Sequence, residues 1–251
     1  MLTRIEQISK TYQNGKTEPL RALAEIRLDI GPNEFVCMVG PSGCGKSTLL
    51  SIVAGLLEPS SGRVAFQGVS PSKPPTGIVF QELGLFPWRT VGGNVGYGLE
   101  ELGVPRKERK GRIRELLGMV GLEGFENRFP HELSGGMRQR TALARALAPE
   151  PALLLMDEPL SSLDAQTRQD MQTELSRLHE RGERSFLYVT HDVGEAVFLG
   201  DRVVVLSPRP GRVLEILQVE LPRPRSQALR REIPFNSLVS HVEALLREGA
   251  Q

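Results

Sequence analysis

The chain has 251 residues, enough for one large domain or two small ones. Apolar residues make up 39% and charged residues 24%, and the net charge of +1 leaves no bulk field to draw in nucleic acid or an anionic membrane. The two cysteines, Cys37 and Cys44, give neither a disulfide framework nor a zinc spacing, which suits a reducing cytoplasm. The first ten residues, MLTRIEQISK, lack the apolar core of a signal peptide. The longest apolar run lies near residues 49–57 and falls well short of the roughly 20 residues of a membrane span. A membrane role is therefore expected only through a partner chain.

In chain order, residues 2–9 and 22–30 alternate apolar and polar side chains and are expected to form antiparallel strands. Tyr12 falls in the turn between them. The turn Gly31-Pro32-Asn33 leads into a short buried strand at 34–39. A helix is predicted over 46–57 and strands over 62–67 and 77–81, the last ending at Gln81. Residues 71–75 form a proline-rich loop. From 84 to about 150 helix signals dominate, including an apolar face of Ile113, Leu116, Leu117 and Val120, and this stretch reads as an inserted helical subdomain. Strand and helix then alternate again. The sequence predicts strands at 152–156 and 185–189, a helix at 164–181, and a hairpin of 203–206 with 212–217 around SPRPG. A proline- and arginine-rich tail from about 221 ends in a helix over 237–247. This alternation predicts a mostly parallel sheet.

Gly40, Pro41, Ser42, Gly43, Cys44, Gly45, Lys46, Ser47 and Thr48 spell a phosphate-binding loop between the strand and the helix. Its glycines let the backbone turn tightly and aim N–H groups inward. Lys46 supplies charge to the β- and γ-phosphates, Ser47 offers a hydroxyl to Mg²⁺, and the helix N-terminus faces the anion. Asp157 and Glu158 follow the apolar run ALLLM. Beside such a loop they read as a Mg²⁺ ligand and a general base that orients water. Ser134, Gly135 and Gly136, in LSGGM, read either as a serine cap before an ordinary helix at 138–147 or as a second anion cradle. Gln81, His191 and Tyr12 carry no weight singly.

In order, the chain holds Tyr12, GPSGCGKST, Gln81, LSGGMRQR, LLLMDEP, SSLD and a Thr-His-Asp at 190–192. This set resembles the nucleotide-binding subunit of an ABC transporter across at least residues 2–217. LSGGM is its most specific piece. The resemblance implies an α/β fold: a P-loop NTPase (RecA-like) core with a mostly parallel sheet, an N-terminal antiparallel part, and the helical subdomain at 84–150. The whole chain, 1–251, would be a single ATP-binding domain. The implied cofactors are ATP and Mg²⁺. Glu158, His191, Lys46 and Gln81 would be catalytic, and Ser47, Gln81 and Asp157 would surround the metal. Tyr12 would stack on adenine, and residues 40–48 would hold the phosphates. Ser134, Gly135 and Gly136 would close the site of a second subunit packed head to tail, and Asp164 would run along the seam. An identical copy is the expected second subunit. Polytopic permease subunits would hold the chain at the cytoplasmic face of the membrane, with a solute-binding protein acting indirectly and no nucleic acid involved. Part of the Leu85, Phe86 and Trp88 cluster is expected to contact the permease.

LFPW followed by Thr90-Val91 and Asn94-Val95, together with SPRPG and LPRPR, resembles the importers of nitrate, taurine, alkanesulfonates and bicarbonate. The end at Gln251 implies no extra C-terminal β-domain of the maltose type. SSLD in place of GALD, the Gly31–Glu34 turn and the loop at 68–76 depart from that branch. Importers of pyrimidines or thiamine precursors stay open, as does, more remotely, a soluble non-transport ABC ATPase. The latter lacks support, since no long heptad run and no second cassette occur. A non-catalytic module is disfavoured by the presence of Glu158 and His191.

Overall fold

The computed structural model describes residues 2–13, 18–69, 74–182 and 184–249. The strands are β1 (Leu2–Tyr12), β2 (Leu20–Ile30), β3 (Phe35–Val39), β4 (Ser61–Gln67), β5 (Thr76–Val79), β6 (Leu153–Asp157), β7 (Ser185–Val189), β8 (Arg202–Leu206) and β9 (Val213–Gln218). The helices are α1 (Lys46–Val53), α2 (Val91–Val95), α3 (Tyr97–Glu101), α4 (Arg106–Met119), α5 (Gly135–Leu147), α6 (Ala165–Glu180), α7 (Val193–Leu199) and α8 (Ile233–Glu248).

A three-stranded antiparallel sheet runs β2-β1-β4. Its two long strands do not keep strict alternation. Ile5 and Ile8 are both buried although three residues apart, and so are Leu23 and Ile26. A bulged residue absorbs the odd step in each case, Gln7 at φ 53° and Glu25 at φ 53°. The larger sheet runs β5-β6-β7-β3-β8-β9 and is parallel except for the last pair. Its central strands are buried on both faces, which is why they read as unbroken apolar runs. Alternate side chains feed two cores. Phe35, Cys37, Leu154, Met156, Phe186 and Tyr188 pack toward the helices. Val36, Met38, Leu153, Leu155, Leu187 and Val189 pack toward α1 and the antiparallel sheet.

Several expected boundaries shift for local reasons. Tyr12 is the last residue of β1 rather than part of a turn. Helix α1 stops at Val53, four residues early, because Gly55 takes φ 73° and the Leu56 N–H returns to the Ser51 carbonyl, a glycine stop. Gln81 lies two residues beyond β5. Gly135 and Gly136 form the first turn of α5 instead of preceding it, with Ser134 as N-cap. Asp157 is the last residue of β6, and Asp164 caps α6 from outside. Helix α8 begins at Ile233, with Pro234 in its first turn. Helix α7 was not anticipated. It is only seven residues long, too short for a periodic pattern to stand out. Of the proline-rich loop, residues 71–73 lie outside the described residues. Among the described residues no helix is long and apolar enough to cross a membrane.

Candidate functional site

Parallel strands bring their C-terminal ends to one edge, and the chemistry-bearing residues follow those ends. The register aligns them. Asp157 sits opposite Val189, and Val189 opposite Met38, so the loops after β6, β7 and β3 leave the sheet at one level. Lys46 and Ser47 follow β3, Asp157 and Glu158 close β6, and His191 follows β7.

Within the loop, Gly45 takes φ 106° and Gly43 φ 75°. A side chain at Gly45 would meet Leu23 Cδ2 at 2.6 Å, and one at Gly40 would meet Cys44 Sγ at 2.8 Å. Only glycine lets the backbone close this far. Lys46 is 6% exposed, and its ammonium donates to the Gly40 carbonyl at 2.7 Å and the Pro41 carbonyl at 3.0 Å. Burial pushes the Cys44 thiol up, opposed by the neighbouring Lys46 charge, so this cysteine is a packed apolar residue and no ready nucleophile. Thr48 Oγ1 lies 3.3 Å from the Tyr12 hydroxyl, which places the Tyr12 ring beside the first turn of α1. Lys10 Nζ stands 5.4 Å from the centre of that ring.

Burial raises the Asp157 carboxyl, the Ser47 hydroxyl hydrogen-bonded to it opposes the shift, and the adjacent Glu158 charge adds to it. Two carboxylates side by side in a half-buried place, with one hydroxyl and one ammonium near, favour a cation. Glu158 adopts φ 44°, a left-handed conformation unusual for a glutamate. Its N–H donates to the Val189 carbonyl at 2.9 Å. The turn swings its carboxylate to 2.9 Å from His191 Nδ1. This strained corner, between β6 and the SSLD turn, faces a narrow crevice shared with Thr190 and Arg168.

Other expected residues lie apart. Gln81 is exposed in the loop after β5. Ser134 caps α5 by accepting from the Met137 N–H at 3.3 Å. None of the described hydrogen bonds links Ser134, Gly135 or Gly136 to residues 40–48. Gly136 has a packing reason of its own, since a side chain there would meet Thr167 Cγ2 of α6 at 2.6 Å. Asp164 accepts from the Thr167 N–H at 3.0 Å, and hydrogen bonding to the Thr167 hydroxyl, followed by that N–H, holds its carboxyl below the usual range. Arg168 steadies the SSLD turn by donating to the carbonyls of Leu160 and Leu163.

Sequence reasoning missed two contacts. Arg209 donates from Nε and Nη2 to the Gly43 carbonyl at 3.0 and 2.9 Å, so the SPRPG turn clamps the phosphate loop. The arginine between two prolines was visible, but its reach was not. Arg145, near the end of α5, donates to the carbonyls of Leu83 and Gly84 at 2.7 and 2.6 Å and ties the loop after Gln81 to that helix. The same loop is pinned by Asn94, which is fully buried. It accepts from the Phe86 N–H and donates to the carbonyls of Phe86, Arg89 and Thr90. Phe86 packs edge-on against Tyr97, with ring centres 4.8 Å apart, and Leu85 packs on the core, whereas Trp88 is 73% exposed.

A glycine-lined loop feeding a helix N-terminus, acids at a neighbouring strand end, a histidine on the next strand and a capped SGG turn on a separate helical insertion define a nucleotide-hydrolysing cassette. A model of the ABC transporter family matches residues 23–161, more than half of the chain. An uncharacterized ABC transporter ATP-binding protein of Methanocaldococcus jannaschii is 48% identical over 227 residues, covering 89% of this chain and 84% of that protein. A taurine import ATP-binding protein of Pseudomonas putida is 47% identical over 221 residues, covering 87% of this chain and 83% of that protein. The dimeric, post-hydrolysis structure of an ATP-binding cassette bound to ADP and phosphate superposes with a TM-score of 0.76 at 33% identity, covering 88% of this chain and all of that one. The chain belongs to the ABC transporter ATP-binding proteins. It is an ABC-type ATPase, and the resemblance to the importer branch read from the sequence holds.

Proposed function

We propose that this chain is the motor of an importer for a small oxyanion such as a sulfonate, taurine, nitrate or bicarbonate, and that it works as a head-to-tail pair of identical single-domain cassettes. The observation that carries the hydrolytic part is the Glu158 to His191 contact at 2.9 Å, at the strand end next to Asp157. Glu158 accepts the proton of an attacking water, and His191 orients Glu158 and faces the γ-phosphate. Lys46 exchanges its loop carbonyls for phosphate oxygens when ATP binds, and the N–H groups of residues 40–48 wrap the anion. Tyr12 stacks on the adenine. The Ser47 hydroxyl and the Asp157 carboxylate would hold Mg²⁺, with Gln81 brought in from its loop. The ion would neutralise charge on the β- and γ-phosphates.

The SGG turn lies on another element from this cluster, so it serves the site of a second copy, with Asp164 along the seam. ATP then favours the closed pair through contacts to both halves, and hydrolysis removes that preference. Arg145 links the two ends of this device. Helix α5 begins at the SGG turn and grips the Gln81–Trp88 loop near its end. The exposed Trp88, beside Phe86, is where a cytoplasmic helix of the permease docks, holding the chain at the inner membrane face. The oxyanion assignment is supported by the taurine-import relative and by the LFPW, SPRPG and LPRPR motifs.

The test is to tag the chain in its native host, solubilise membranes in mild detergent and identify what copurifies. A polytopic membrane protein is expected. ATP hydrolysis by that complex, with its solute-binding protein, should rise with one of taurine, sulfonates, nitrate or bicarbonate. Stimulation by a pyrimidine instead would reject the oxyanion assignment. Recovery of the chain only in the soluble fraction, with ribosomes or nucleic acid, would reject the transport role.

A further inference from the structure

The C-terminal segment has no place in the site as described, yet it surrounds α7, the helix that leaves the His191 turn. The two arginines of LPRPR close the far end of α7. Arg225 donates from Nη1 to the carbonyls of Val197, Phe198 and Gly200 at 3.2, 2.9 and 2.8 Å, and Arg223 donates to the Leu199 carbonyl at 2.8 Å. These satisfy carbonyls that a seven-residue helix leaves open and put positive charge at its negative end.

The near end of α7 is held by a third arginine of the same segment. Arg230, in the 3₁₀ turn Gln227–Arg231, lays its guanidinium 5.0 Å from the centre of the Phe198 ring and 5.6 Å from that of Phe235. Its Nη2 donates to Gln172 Oε1 at 2.9 Å. Gln172 Nε2 donates to Glu195 Oε1 at 3.0 Å, and the Thr190 hydroxyl donates to Glu195 Oε2 at 2.6 Å. The Asp192 N–H in turn donates to Thr190 Oγ1 at 3.0 Å, and Asp192 Oδ1 accepts from the Glu195 N–H at 2.8 Å. The relay therefore ends on the residues immediately before and after His191. Gln172, Glu195 and Thr190 are all buried, so the bonds among them replace water that cannot enter. A side chain at Gly194 would meet Arg230 Nη1 at 3.0 Å, so this corner is also closed sterically.

We infer that Arg230 is a positioning residue for His191, acting from the C-terminal segment through Gln172 and Glu195 on the turn 190–192. The inference rests on the proposed part of His191 in hydrolysis. Arg230 touches no reacting atom. It fixes the rotation of the turn, and so the direction in which the His191 ring meets Glu158.

The test uses the full chain and MgATP. Arg230→Met keeps an apolar stem over the two rings and removes the donors. Its kcat should fall about five- to tenfold with KM changed less than about twofold, and Arg230→Lys, which keeps one donor, should recover most of the loss. In a His191→Ala background the same Arg230→Met change should alter kcat less than about 1.5-fold, because the group it positions is gone. An equal fold-loss in both backgrounds makes Arg230 a general stabiliser and overturns the inference. So does an unchanged kcat in Arg230→Met. If Arg230→Met does not fold, Gln172→Leu cuts the same relay and takes its place. If His191→Ala alone turns over like the wild type, the proposed role of His191 is what fails. Hydrogen exchange at the amides of 191–195 then decides the structural claim. Faster exchange there in Arg230→Met, with α1 unchanged, upholds it, and an unchanged rate rejects it.

Discussion

The ends of the parallel strands and the front of the helical insertion both present polar groups to solvent, but they are held in different ways. At the strand ends each group has its partner inside this chain. Lys46 is bonded to the Gly40 and Pro41 carbonyls, Ser47 to Asp157, and Glu158 to His191. On the insertion, the Ser134 hydroxyl caps its own helix and Trp88 is exposed, while what lies behind them is firmly built. Asn94 anchors the Trp88 loop with four hydrogen bonds, and Gly136 packs against Thr167. Rigid support behind an exposed front suits a surface that acts on something else. On the proposed reading, the comparison separates a catalytic half from a closing half that one copy does not bring together itself.

The comparison can be broken from either side. The largest effect is expected from Glu158→Gln, which should lower phosphate release about 10²- to 10⁴-fold while ATP binding, followed with a fluorescent analogue, stays near wild type. Wild-type turnover in that variant would remove Glu158 from its assigned role. On the insertion, Asn94→Ala removes the buried acceptor of the Phe86 N–H and the side-chain donor to three carbonyls of the Trp88 loop, of which those of Phe86 and Thr90 keep a backbone N–H. It should cost about 3 kcal/mol, seen as a thermal midpoint lower by about 6–12 °C, with binding of ATP by the strand-end cluster retained at low temperature. Gly136→Ala sets a methyl group against the stiff, branched Thr167 side chain and should cost ~1–3 kcal/mol in denaturant unfolding. Trp88→Ala should change stability by no more than about 0.5 kcal/mol. It should leave hydrolysis by the isolated chain near normal yet abolish solute uptake by the assembled transporter. Loss of folding instead would make Trp88 a packing residue and blur the distinction between the two regions.

Much of this was legible in the residues. The phosphate loop announces itself because glycine spacing and a lysine are local features, and the buried parallel strands announce themselves as unbroken apolar runs. What escaped was set by partners distant in sequence. The alternation ends the first strand at residue 9, but pairing with β2 carries β1 to Tyr12. The apolar pattern carries the first helix past its end because leucines continue beyond Gly55, where the backbone has already turned. Propensity puts Gly135 and Gly136 before their helix because glycine is a poor helix former, a weak preference that a serine cap and packing on α6 override. In the site, the order of motifs singles out Asp157, Glu158 and His191, which the sheet brings to one edge, whereas the Arg209 clamp and the Arg230 relay depend on hydrogen bonds spanning 166 and 58 residues. No local pattern encodes such contacts.

The central claim, that each site is finished by the other copy's SGG turn, is tested most directly by complementation. Ser134→Arg should disable the closing half and Glu158→Gln the catalytic half, so each pure variant should be inactive. Mixed in equal amounts before nucleotide is added, the two should form pairs in which one site has both halves intact, and phosphate release should return to roughly a quarter of the wild-type rate. No recovery on mixing, or an active Ser134→Arg variant on its own, would contradict a site shared between two chains.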